Sequence, residues 1–232
     1  MQYGIFLLLF LFLIFLFILF AFCRDDFVLF RKNVDMEKVF NLAFLIGITG
    51  LFFSRFFYVL LYFNSLYLNP LAFVLFPYFP GLSLPGGLLG GSLGLAFLLR
   101  GKKYPEGRLF DFFILAFSLT LIIDQLLVFG GEYLLIKQFM SVLLANAVVI
   151  FSFFLLSYRV FKQHGLKEGS VGLALVFFIS IVSIVSILFP KHSTMLYVYK
   201  EVSVWSIVCL LSLFFFLRQE SPVSFLKFFG KK

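Results

Sequence analysis

The chain is poor in charge, in cysteine and in histidine. Of its 232 residues 13% are charged, two are Cys, two are His and one is Trp. Cys23 and Cys209 sit at or inside apolar segments, so they predict neither a disulfide framework nor a metal site. His164 and His192 fall in connecting segments on opposite sides of the predicted topology and cannot share a metal. There is no phosphate-binding P-loop, no dinucleotide fingerprint, no strong internal repeat and no soluble domain. These absences remove nucleotide-driven enzymes, redox enzymes of the dinucleotide type and solenoids.

What the chain has is apolar length. Hydrophobic residues make up 62% and the mean hydropathy is +1.10. That composition predicts an all-α integral membrane protein, a single transmembrane domain over 1–232. Seven apolar runs read as spans: about 3–23, 39–63, 85–99, 111–129, 139–158, 171–189 and 202–217. The third is short and needs its flanks to cross. The first resembles a signal peptide only loosely. It is too long for an h-region, lacks a basic start, and has bulky Phe22 before Cys23, which also argues against lipidation there. It reads as a retained helix. Phe reaches 39 copies; nothing in the sequence gives that number a function.

Orientation follows from lysine and arginine. The segments 24–38, 100–110, 158–170 and 218–232 carry fifteen of the nineteen basic residues. They predict an inner face, an outer N-terminus and an inner C-terminus. The net charge of +8 therefore reflects topology and suits anionic lipid headgroups, not nucleic acid.

The most distinctive run is GLSLPGGLLGGSLG, Gly81–Gly94. Gly86 and Gly90, Gly87 and Gly91, and Gly90 and Gly94 are four apart, which makes a smooth helical groove for a backbone or a lipid chain. Pro85-Gly86-Gly87 predicts a broken helix or re-entrant turn before the span. The preceding stretch 64–84 has no Lys or Arg but three prolines and many aromatics. It suits the outer interface, as an arm that admits lipid or as an aromatic belt.

Ionisable groups at membrane depth are costly and mark function. Arg55 reads as an anion-binding group, or as a structural arginine paired with Asp124 or Glu132, or as one reaching outward to water. Asp111 reads as a helix N-terminal acid favoured by the dipole. Asp124 and Glu132 read as a paired-acid proton site or as water-facing interface residues. Tyr3 reads as an interfacial anchor.

Several of these residues, in order along most of the chain, resemble the bacterial prolipoprotein diacylglyceryl transferases. Tyr3-Gly4 resembles the family's opening Tyr-Gly. The run from Arg31 to Lys38 resembles its first inner loop. The stretch from Gly50 through Arg55 to Tyr58-Val59-Leu60 is similar to its Gly-x-Arg-x-x-Tyr-Val-Leu pattern. Gly81-Leu-Ser-Leu-Pro85-Gly86-Gly87-Leu-Leu-Gly90-Gly91 is similar to its Gly-Met-Ser-Phe-His-Gly-Gly-Leu-Leu-Gly-Gly motif. Arg108-Leu-Phe-Asp111 matches the next helix start. The resemblance implies a transferase of the bacterial cytoplasmic membrane that moves diacylglyceryl from phosphatidylglycerol to the lipobox cysteine thiol of a preprolipoprotein. It implies Glu132 and Tyr3 as catalytic residues. Arg55, Tyr58, Gly86, Gly87, Gly90 and Gly91 would bind the lipid phosphate and chains. It implies phospholipid and the preprolipoprotein signal peptide as partners, and no metal or soluble cofactor.

The departures are specific. Pro85 stands where the family has histidine. Asp124 stands where its Gly-Arg-x-Gly-Asn-Phe-x-Asn-Gly-Glu signature has arginine, and only the closing Gly131-Glu132 remains. The late arginine of the family falls in the uncharged 177–185. Two further readings follow: a family member that binds lipid or a lipoprotein precursor without turnover, and a small transporter using Asp124 and Glu132.

Overall fold

A computed structural model describes residues 2–63, 67, 81–100, 104–131, 137–162, 166–188 and 195–220. They form eight helices and no strand: α1 Gln2–Cys23, α2 Phe27–Arg31, α3 Met36–Leu61, α4 Leu84–Leu99, α5 Glu106–Gly131, α6 Lys137–Lys162, α7 Ser170–Leu188 and α8 Met195–Gln219. Six are long and apolar enough to cross a membrane, and α4 is a shorter apolar helix. This is an all-α multi-pass membrane protein. At ~1.5 Å rise per residue, α4 is ~24 Å long, short of the ~30 Å hydrocarbon core. Most helices run past the apolar stretch that predicts them.

The chain divides into two compact units, 1–105 and 106–232. In the first, α3 packs closely along α4 and only lightly against α1. The α1 contact is aromatic. Phe12 meets Phe44 edge-on at 5.4 Å and lies over Gly47, while Phe20 stacks on Phe40 at 6.3 Å. Most of the α1 surface is left to lipid: Phe6, Leu13 and Phe17 are exposed.

The turn between α1 and α3 holds the short α2, which no hydrophobic period announces. The Asp26 carboxylate accepts from Leu29 N at 3.0 Å and caps its start. Its end is a Schellman turn: Asn33, at φ 53°, donates to Phe30 O, and Val34 N donates to Leu29 O at 3.0 Å.

In the second unit α5, α6 and α7 pack against one another and α7 packs along α8. Leu115, Ile150, Leu175 and Ile179 are fully buried at the centre. Phe153 of α6 stacks on Phe178 of α7 at 3.8 Å. Ser118, Thr120 and Ser180 are buried too, and each hydroxyl donates to a carbonyl three or four residues back on its own helix. Those bonds let polar side chains sit in a dry interior without a partner helix.

Candidate functional site

In the first unit the candidate site is where the backbone before α4 crosses α3. Two neighbouring α3 residues grip it. Ser54 Oγ donates to Ser83 O at 2.9 Å, and Ser83 N donates back to Ser54 O at 3.1 Å. Arg55 Nη1 donates to Gly81 O at 2.8 Å. Ser83 then starts α4: its side chain accepts from Gly86 N at 3.4 Å and its carbonyl accepts from Gly87 N at 2.9 Å. Pro85 occupies the first turn of α4, where its missing N–H is no loss. The predicted break at Pro85 is therefore a capped helix start, and α4 is continuous from there.

Gly81 allows the strap to run this close. Its φ is +142°, and an added Cβ would fall inside the Tyr58 ring. Tyr58 thus fills the space beside the strap, one turn along from Ser54. The Arg55 guanidinium lies 5.7 Å from the Tyr58 ring centre and 5.1 Å from that of Tyr67. Arg55 itself is 3% exposed. One carbonyl and two tyrosine rings thus surround the buried guanidinium.

The glycine groove has a definite neighbour. A Cβ on Gly86 would lie 2.6 Å from Phe57 Cβ, and one on Gly90 would collide with Phe53 Cβ. Gly50 of α3 faces Gly87 and Gly91 of α4 backbone to backbone, with a Cβ on Gly50 4.0 Å from Gly91 Cα. So Gly86, Gly87 and Gly90 let α3 and α4 approach closely. Gly91 has room: a Cβ there meets only Ile46, at 3.6 Å.

Of the residues singled out from sequence, Arg55, Tyr58, Gly86, Gly87, Gly90 and Gly91 all fall in this unit, along one helix pair. Tyr3 lies in the first turn of α1, and its side chain is outside the described residues, as is all of Glu132. Asp124 lies on α5 in the second unit, part-buried. Sequence reasoning missed Ser54, Ser83 and Tyr67. The Ser-x-Pro spacing before the glycines is a readable cap signal for Ser83. Nothing local marks Ser54 or Tyr67.

Asp111 has a different role from the one its position suggests. It is 1% exposed and lies inside α5, yet it caps α7. Its Oδ2 accepts from Gly169 N at 2.7 Å and its Oδ1 from Gly172 N at 2.6 Å. The dipole argument holds, but for another helix. Glu220, just past α8, secures the same turn: Oε1 accepts from Lys167 N at 2.7 Å and from Ser170 Oγ at 2.8 Å. Gln219 Nε2 donates to Glu168 O. Gly169, at φ +93°, makes the bend. Arg108 lies over the Phe161 ring at 4.0 Å. This cluster ties the ends of three helices together.

Comparison with protein-family models, with curated proteins and with solved structures gives no match. Among the described residues no group of three or more His, Cys, Asp or Glu is placed to hold a metal ion.

Proposed function

We propose that this chain binds an anionic phospholipid through Arg55 and works on the plan of the prolipoprotein diacylglyceryl transferases. The observation that carries the reading is the buried Arg55, oriented by Gly81 O, Tyr58 and Tyr67. A guanidinium at membrane depth is costly to bury, and charged residues kept there commonly mark binding sites. Phosphate is the anion that its fork matches best in a lipid environment.

In that reaction the cysteine sulfur attacks the terminal glyceryl carbon of phosphatidylglycerol. The carbon–sulfur bond forms, the carbon–oxygen bond to phosphate breaks, and glycerol phosphate leaves. The thiol proton goes to a base, and the resemblance implies Glu132 and Tyr3 as the catalytic residues. Arg55 stabilises the charge gathering on the departing phosphate. The reading places the protein in a bacterial cytoplasmic membrane, with the strap toward the outer leaflet and a preprolipoprotein signal peptide as second substrate.

A second reading, binding of lipid or precursor without turnover, is favoured by Asp124 and Pro85. An acid at a position where the resemblance expects arginine repels phosphate. Pro85 is committed to starting α4 and brings no proton donor. Losing one preorganised donor costs on the order of 10²–10³ in rate. Transfer of labelled diacylglyceryl from phosphatidylglycerol to a lipobox peptide, by purified protein in nanodiscs, separates the two. Transfer above an Arg55→Ala control supports the transferase. No transfer, with phosphatidylglycerol still bound through Arg55, supports the binder. Absence of both removes the proposal.

A further inference from the structure

We propose that the turn joining α1 to α3 binds the headgroup of a zwitterionic aminophospholipid, a primary ammonium beside a phosphate. A cavity of about 210 Å³ opens there. Three elements wall it: the end of α1, the short α2 and the start of α3. Cys23, Leu29 and Val34 line it and are buried, which gives it an apolar floor. Its polar lining is Arg24, Asp26, Asn33 and Asp35. The shape is held from within, because Asp26 caps α2 and Asn33 makes its Schellman end.

Three of the four polar groups keep bonding capacity that the fold does not use. Arg24 gives its Nε to Asp25 Oδ1 at 3.3 Å, in an exposed pair. Among the described residues nothing accepts from its two Nη groups, and the side-chain amide of Asn33 makes no hydrogen bond. Asp35 stands at the N-cap of α3 with the extended backbone of a cap, yet its carboxylate makes no cap bond. Its Oδ2 accepts from Lys38 Nζ at 2.9 Å, and among the described residues Oδ1 has no partner. An acid at that position ordinarily collects the first N–H groups of its helix. This one lines the cavity instead.

Charge selects the ligand. Counted with Asp25 and Lys38, which pair with the lining, the mouth carries two cations and three carboxylates. A ligand of net negative charge meets more repulsion than attraction there. A zwitterion sets its phosphate on the Arg24 fork and donates its ammonium N–H groups to Asp35, beside the charge of Asp26. A quaternary ammonium has no N–H to donate, so a choline headgroup fits less well. The surroundings favour a lipid over a dissolved zwitterion. The cavity lies at the end of an apolar span, and Phe27 and Phe30 of α2 are 73% and 80% exposed. Rings so exposed beside a charged turn belong at the headgroup boundary, and Phe30 itself lines the cavity.

The site involves neither Arg55 nor Glu132, so it stands apart from the transferase reading. The test is native mass spectrometry of the full chain released from nanodiscs of equal phosphatidylethanolamine and phosphatidylcholine. The expected result is retention of phosphatidylethanolamine over phosphatidylcholine on the order of fivefold, lost in Asp35→Asn and lowered in Arg24→Gln. Both side chains are exposed, so both variants should melt as the parent does. Equal retention of the two lipids, or a preference indifferent to both substitutions, overturns the proposal. Free phosphoethanolamine, added to protein in phosphatidylcholine nanodiscs, separates the sources. Asp35-dependent binding of it without any preference for phosphatidylethanolamine would make the ligand a dissolved zwitterion and overturn the lipid assignment.

Discussion

The two units hold helices together by opposite means. In 1–105 the side chains are removed: glycines on α3 and α4 bring two backbones together, and the strap is gripped by one serine and one arginine. In 106–232 side chains are added: two buried carboxylates, Asp111 and Glu220, collect the orphan N–H groups at the start of α7. Lipid supplies no hydrophobic drive between helices, so both solutions rest on contact and hydrogen bonding. The difference lies in what each does with its buried charge. The acid of the second unit is fully engaged by backbone donors. The arginine of the first is held by a carbonyl and two rings. One arrangement ties helix ends together and the other ties a chain segment to the side of a helix.

The comparison is broken most severely at Gly90. Gly90→Leu must displace Phe53, and the overpacking should cost about 3 kcal/mol or more. A large fall in melting temperature in detergent is expected, while Gly91→Ala, with open space beyond Ile46, should melt as the parent does. Equal melting of the two variants would show that α3 and α4 do not pack at Gly90.

Asp111→Asn comes next. It swaps one acceptor for an amide that faces a backbone N–H, at a cost of about 2–3 kcal/mol. Faster hydrogen exchange at Gly169 and Gly172, with little change in α4, is the expected pattern. Exchange raised evenly over the chain would mean that Asp111 does not cap α7.

Ser83→Ala and Glu220→Gln sharpen the contrast at lower amplitude. Ser83→Ala removes a helix cap, about 1 kcal/mol, and should loosen the first turn of α4. Glu220→Gln keeps an acceptor for Lys167 N and Ser170 Oγ and loses only the charge, also about 1 kcal/mol. Each should raise exchange in its own unit and leave the other untouched.

Much of this architecture is legible in sequence because it depends on run length. Seven apolar runs give the seven long or apolar helices, although α5 starts five residues and α8 seven residues before the run that predicts it, and the glycine spacing in Gly86–Gly94 reads directly as a close-packing face. Two kinds of feature escape. The short α2 depends on Asp26 and Asn33, polar cap chemistry inside a charged loop that looks like many others. The partners of Asp111 lie 58 and 61 residues away, and no local pattern encodes that distance. Asp111 at a helix start reads as an acid favoured by its own helix's dipole, yet the fold spends it on α7. The grip on the strap is invisible for the same reason: Ser54 is an ordinary helical serine until the chain returns to it at Ser83.

The account stands or falls on Arg55 as a phosphate-binding group. The direct measurement is retention of phosphatidylglycerol over phosphatidylcholine by protein released from mixed nanodiscs and weighed by native mass spectrometry. It is made with and without Arg55→Gln. Loss of the phosphatidylglycerol preference on adding Arg55→Gln, in protein that still melts cooperatively, is the predicted result. An unchanged preference, or one lost only together with the fold, would contradict it and make Arg55 a structural clasp for the strap.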